Sequence, residues 1–261
     1  MGSYADDALF MSRNNIEYVE LISDDGKSKV MVIPAWQGRV MTTSAAGDEG
    51  DSYGWINYSF IKKRQIDLQF NPVGGEERFW LGPEGGVFSL YFRQGEKQIY
   101  KNWKVPPVLD IEAFKIQSQS KNCICLTKEG CLTNACGTTF YLNIKRTISL
   151  LDINEFAASF NLEFPKDIKA VAYKSDNQIT NIGNESWNKE TGLISVWMLS
   201  MFNPTSATTV FIPYKQSRKG KIVNDEYFGK IPTDRLIVKN GIIYFKTLIP
   251  QHFDLTLFIS S

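Results

Sequence analysis

Histidine is almost missing from this sequence: His252 is the one example in 261 residues. The first 251 positions therefore offer no imidazole as a general base, as partner to a serine or cysteine nucleophile, or as a metal ligand. An excess of either charge is missing too. Lysine and arginine number 29 and aspartate and glutamate 28, for a net charge of +1 without a long run of either sign. A nucleic-acid or anionic-membrane partner would need a basic patch, and the linear sequence shows none. No apolar stretch approaches the ~18–20 residues that cross a bilayer, so no membrane span is expected. Also lacking are a linker rich in Pro, Gly or Ser, a low-complexity tract, an internal repeat, a G-x-S-x-G elbow and a phosphate-cradling P-loop.

Cysteine is scarce and local. Cys123, Cys125, Cys131 and Cys136 follow C-x-C-x5-C-x4-C, which lacks the paired C-x2-C knuckles of a tetrahedral zinc site. Asn122–Thr127 reads as a strand with Cys123 and Cys125 on one face and Ile124 and Leu126 on the other. These are expected to be small buried or half-buried thiols, with no zinc and no obligatory disulfide. No metal and no cofactor is expected.

What is present is β pattern. Hydrophobic residues make up 43% and charged residues 22%, the balance of a packed globular protein. Ala5–Arg13 alone reads as helical, with Asp6 and Asp7 in its first turn. In Gln65–Phe70, Ile66, Leu68 and Phe70 alternate with Gln65, Asp67 and Gln69. In Thr139–Thr147, Phe140, Leu142 and Ile144 alternate with Tyr141, Asn143 and Lys145. Further strands are expected at Lys29–Ile33, Arg39–Ser44, Val87–Phe92, Glu155–Leu162, Ile168–Lys174, Leu193–Leu199, Thr208–Tyr214, Arg235–Lys239, Ile242–Thr247 and Phe253–Ile259. Turn chemistry at Asp24-Asp25-Gly26, Gly82–Gly86, Asn181–Asn184 and Asn240-Gly241 separates them. Strands without intervening helices mean antiparallel pairing, so the expectation is one all-β domain over 1–261, a large antiparallel β-sandwich with residues 1–14 as a short helical extension.

The informative segment is Asn71–Gly86, NPVGGEERFWLGPEGG. Read as a strand, Glu76–Leu81 puts Glu76, Arg78 and Trp80 on one face and Phe79 and Leu81 on the core side, with Val87–Phe92 returning as a hairpin. Two carboxylates, a guanidinium and an indole are the parts of a sugar site: the indole covers the C–H face of a pyranose, Arg and Glu bond hydroxyls, and glycines admit the ligand. The plain alternative is a Glu76–Arg78 ion pair beside a half-buried Trp80. Candidate ligand residues are Glu76, Arg78, Trp80, Glu84, Asn71, Trp55 and Asn57, and candidate catalytic carboxylates are Glu76, Glu84 and Glu226, with Asp225 beside the last. Trp197, among apolar neighbours, reads as core.

Gly74–Gly86 resembles an uncharacterised bacterial family of the galactose mutarotase-like super-sandwich class, and Gln37–Thr42, Gly54-Trp55-Ile56-Asn57 and Tyr227-Phe228-Gly229-Lys230 fit the same pattern. The resemblance runs from about Gln37 to Leu236 and implies a ligand on a concave sheet face, together with a longer C-terminal part than Ile237–Ser261. Mutarotation needs a glutamate and histidines; here His252 stands alone near the end, so that activity is not expected. The leading expectation is a carbohydrate-binding protein taking a mono- or oligosaccharide. Its alternatives are a carboxylate-dependent sugar-processing enzyme of glycosidase or epimerase type, or a partner-binding sandwich without a site. Met1-Gly2-Ser3-Tyr4 is polar, so no signal peptide is read there, although Met1-Gly2-Ser3 also fits a remnant standing in place of one. The periplasm or extracellular space is the expected compartment.

Overall fold

Ser3 starts the first element. Its hydroxyl accepts from the Asp6 amide while the Asp6 carboxylate accepts from the Ser3 amide, a capping box that opens α1 (Tyr4–Arg13) and contains the expected helix. The structure, a computed structural model, describes residues 2–165, 167–205, 207–215, 222–223 and 230–246. After α1 come β1 (Val19–Ile22), β2 (Lys29–Ile33), β3 (Arg39–Ser44), α2 (Tyr58–Lys62), β4 (Arg78–Gly82), α3 (Pro107–Asp110), β5 (Lys115–Gln119) and β6 (Cys123–Thr133). β7 (Thr139–Leu151), α4 (Ile153–Ser159), β8 (Ala172–Asn181), β9 (Ser195–Leu199), β10 (Thr209–Pro213), β11 (Leu236–Lys239) and β12 (Ile242–Lys246) follow. Strand accounts for 38% and helix for 14%, so the protein is mostly β.

Among the described residues every strand pairing is antiparallel. The sheets run β1-β2-β3, β5-β6-β7-β8, β4-β9 and β10-β12-β11. One apolar cluster joins Val30, Val32 and Val40 of the first sheet, Phe79 and Leu81 of β4, and Ile124, Leu126, Leu142, Ile144 and Ile148 of the four-stranded sheet. A second joins Tyr4 and Met11 of α1 to Met31, Ile33 and Met41, the alternate residues of β2 and β3. Covered from both sides, β2 and β3 are buried at every position, which is why their sequences lack alternation. Between β11 and β12, Asn240 and Gly241 take φ of 54° and 77°, the left-handed pair a two-residue hairpin needs.

Several expected strands are not strands. Gln65–Phe70 is a loop, with Ile66 68% and Leu68 82% exposed. Local bonds take its backbone: the Asp67 amide donates to Asn71 Oδ1 and the Gln69 amide to Asp67 Oδ1, an alternative to ladder pairing. Val87–Phe92 is also irregular and buries Ser89, Leu90 and Tyr91 in succession, which a two-faced strand cannot do. The expected hairpin is therefore absent, and β4 pairs instead with β9, setting Trp80 opposite Trp197. Glu155–Leu162 falls largely on α4, whose N-cap Asp152 accepts from the amides of Asn154 and Glu155. β8 begins at Ala172, later than the expected Ile168–Lys174 strand, and β1 and β5 were not foreseen. Phe253–Ile259, Asp225, Glu226 and His252 lie outside the described residues.

Candidate functional site

The glycines before β4 serve the backbone. A Cβ on Gly54 would stand 2.0 Å from the Met41 carbonyl oxygen, and one on Gly74, at φ 92°, would stand 2.4 Å from the Trp55 carbonyl oxygen. These contacts press Gly54–Asn57 between β3 and Gly74-Gly75: the Gly75 amide donates to the Trp55 carbonyl at 2.8 Å and the Asn57 amide to that of Val73 at 3.0 Å. The space read as ligand clearance is filled by chain. Asn57 caps α2, its Oδ1 accepting from the Phe60 amide at 3.2 Å, and Trp55 is half-buried.

β4 then carries a charged and aromatic knot. Arg78 is 5% exposed and lies 3.6 Å above the Trp80 ring centroid and 5.1 Å from that of Phe70. Trp80 is 2% exposed, and its Nε1 donates to the Leu109 carbonyl at 3.0 Å. Phe70, Tyr91, Trp103 and half-buried Trp197 pack around it with centroids 5.2–6.2 Å away. Trp80 therefore anchors the interior and presents no ring face to solvent, contrary to the exposed strand face expected from the period-two pattern. That pattern identifies a shared face but not what covers it.

Beside this knot, Glu84 is half-buried. Burial raises its pKa, while the indole of Trp103 and the charge of Arg78 offset part of the rise. Glu84 Oε2 and Trp103 Nε1 nonetheless reach no hydrogen bond of normal geometry. Trp103 is stacked with buried Tyr91 (5.7 Å, 7°) and with Tyr100 (6.1 Å, 13°), which is 76% exposed. On the inner side Asp110, 5% exposed, accepts from the Asn71 amide at 3.0 Å and from Asn71 Nδ2 at 2.7 Å. Asn71 is thereby a buried brace. Burial raises the Asp110 pKa, and Asn71, Arg39 and Arg78 oppose that rise. Arg39, 1% exposed, is pushed down to about 9 by burial and by Arg78, with Asp110 pulling back.

Glu76 stands apart. It is 3% exposed, the Thr43 hydroxyl donates to its two oxygens at 3.1 and 2.9 Å, and burial pushes it up to about 8 against the Thr43 bonds, with Glu77 adding to the rise. The structure thus brings Arg78, Trp80 and Glu84 together with Asn71 behind them, and leaves Glu76, Trp55 and Asn57 elsewhere.

A second polar centre lies on the opposite side of β4. Arg146 is fully buried, with Nη2 2.9 Å from Glu77 Oε1 and 3.2 Å from the Gly38 carbonyl. Ser175 donates to the other Glu77 oxygen at 2.9 Å, and Asn177 sits opposite Arg146 in the β7–β8 register. Burial lowers the Arg146 pKa and Glu77 opposes that effect. Sequence reasoning passed over Arg146, yet its signal was present. The inward series Phe140, Leu142, Ile144 continues to position 146, so an arginine stands on an apolar face. Tyr91, placed by a loop, and Asp110, at the end of the short α3, carried no comparable signal.

Cys123, Cys125 and Cys131 are strung along β6 and Cys136 lies in the turn after it; all four are free. Cys125 is buried, Cys123 half-buried, and Cys131 and Cys136 are exposed, so the expectation of buried thiols holds only for the first two. Among the described residues no helix is long and apolar enough to cross a membrane.

The model of a family of unknown function, DUF6786, matches residues 2–248, and the chain belongs to that family. No curated protein and no solved structure matches the chain.

Proposed function

We propose that this member of the DUF6786 family binds carbohydrate at the Glu84–Trp103 edge of the β4 knot. The observation that carries the reading is a facing acceptor and donor, Glu84 Oε2 and Trp103 Nε1, which interact with each other but reach no hydrogen bond of normal geometry, beside the exposed ring of Tyr100. Buried polar atoms in that state call for a partner, and a sugar hydroxyl both accepts and donates. Tyr100, not Trp80, is the ring placed to cover a pyranose face. The reading keeps the likeness to a galactose mutarotase-like super-sandwich and the periplasmic or extracellular compartment as its setting. It includes no mutarotase chemistry of the usual kind, since the sequence holds only His252.

A second reading, a carboxylate-dependent sugar-processing enzyme, is favoured by one observation: burial holds Glu84 towards its protonated form, as a general acid requires. A saccharide thermal-shift screen tests the first reading. Tyr100→Ala should weaken the best ligand roughly tenfold or more while leaving the melting temperature nearly unchanged, because the side chain is largely exposed. Undiminished binding by that variant, or no saccharide that shifts the unsubstituted protein, refutes the site. Turnover of a bound saccharide, lost in Glu84→Gln, would select the enzyme reading.

A further inference from the structure

Three loops of the structure carry aliphatic side chains into solvent. Ile66 and Leu68 are 68% and 82% exposed, Val87 is 69% and Ile99 is 52%. The loops lie edge to edge. Gln69 Nε2 donates to the Tyr100 carbonyl at 2.6 Å, the Gly86 amide donates to Gln98 Oε1 at 2.9 Å, and Gln98 Nε2 returns to the Gly86 carbonyl at 2.7 Å. Exposed aliphatic residues far apart in sequence thus sit on neighbouring loops, and proteins seldom leave such residues gathered in water without use.

Its surroundings are basic. Exposed Lys63 leads into the first loop, while its neighbours turn to α1, Lys62 Nζ over the Phe10 ring at 5.8 Å and Arg64 Nη2 to the Arg13 carbonyl at 3.1 Å. Arg93, Lys97, Lys101 and Lys104, also exposed, belong to the segment that carries Ile99. The acidic groups of the three loops are Asp67, Glu84 and Glu96; Glu84 is half-buried, and Asp67 accepts from the Gln69 amide. Five cations, Lys63, Arg93, Lys97, Lys101 and Lys104, against three carboxylates leave a local excess of +2 in a chain whose whole net charge is +1.

We propose that the Ile66–Leu68, Val87 and Ile99 loops dock on an anionic lipid surface, the aliphatic tips entering the headgroup boundary and the lysines and arginines meeting the lipid phosphates. The occupant follows from the chemistry. The aliphatic tips partition into acyl chains, the exposed ring of Tyr100 beside Ile99 suits the headgroup boundary, and surrounding lysines and arginines are drawn to anionic headgroups. A symmetric contact with a second copy would bring the same five cations face to face. The inference is independent of the carbohydrate reading, and none of the tips is part of the Glu84–Trp103 site.

The test is co-sedimentation of the full chain with vesicles of phosphatidylcholine, with and without phosphatidylglycerol, over a salt series. Binding should require the anionic lipid and weaken as salt rises. Ile66→Ser with Leu68→Ser should reduce it roughly tenfold, and Lys97→Glu with Lys101→Glu by at least as much, with unchanged melting temperatures since all four side chains are exposed. The proposal is overturned by absence of vesicle binding, by equal binding to neutral vesicles, by binding that either double variant leaves intact, by retention on single-stranded DNA in place of vesicles, or by Ile66- and Leu68-dependent self-association without lipid binding. Loss of saccharide binding alone leaves it standing, as loss of vesicle binding leaves the saccharide site standing.

Discussion

Glu76 couples the stability of this fold to pH in a direction opposite to that of an ordinary salt-bridged carboxylate. It is 3% exposed, with the Thr43 hydroxyl as its side-chain partner, and its pKa rises from 4.5 to about 8 because burial penalises the charged form. The folded chain therefore keeps a proton that the unfolded chain releases above pH 4.5. Below that value both states are protonated and nothing is lost. Between 4.5 and about 8 stability falls as pH rises, and above about 8 the full loss is reached. At about 1.4 kcal/mol per pH unit, the shift corresponds to about 3–5 kcal/mol, a large share of the about 5–15 kcal/mol that holds a domain folded. Glu76→Gln resembles the protonated form and keeps an acceptor for Thr43. Asp7, Glu84 and Asp110 are also raised by burial, so they tilt the pH profile the same way in both proteins and cancel in the difference. Denaturant unfolding at intervals from pH 5 to pH 9 should show Glu76→Gln gaining on the unsubstituted protein by about 3–5 kcal/mol across the series. Parallel profiles, within about 1 kcal/mol, would refute a proton held by buried Glu76.

Trp80→Ala should destabilise the fold by about 3–5 kcal/mol, since it removes a buried indole, orphans the Leu109 carbonyl and strips Arg78 of its stacking surface; a loss under about 1 kcal/mol in denaturant unfolding contradicts the knot. Gly54→Ala should cost about 3 kcal/mol or more, visible as loss of soluble folded protein, because its Cβ would meet the Met41 carbonyl at 2.0 Å and a main chain has no side-chain rotation with which to yield. Thiol titration of the native protein should find Cys131 and Cys136 reacting fast and Cys125 reacting only on unfolding; rapid reaction of Cys125 would place it outside the core.

Much of the secondary structure was legible because some elements carry their own signature. β7 alternates as its residues demand, β2 and β3 lie on the expected residues, and α1 announces itself through a serine cap and early aspartates. The errors have physical causes. The period-two pattern of Gln65–Phe70 had no neighbouring strand to satisfy it, so Asn71 and Asp67 captured the backbone. In Glu155–Leu162 the Asp152 cap decided for helix.

The candidate site divides along the same line. The sequence by itself determined that Glu76, Arg78 and Trp80 alternate along one segment, that histidine chemistry is nearly absent, and that the chain is mostly β. Those follow from residue type and from the two-residue repeat of an extended backbone. Only the tertiary structure decided that β9 lies against β4, that Tyr91, Trp103 and Asp110 close over Arg78 and Trp80, and that Glu76 turns away to Thr43. Burial is a property of what arrives from elsewhere in the chain, here from β9 more than a hundred residues on, and a local pattern holds no record of it.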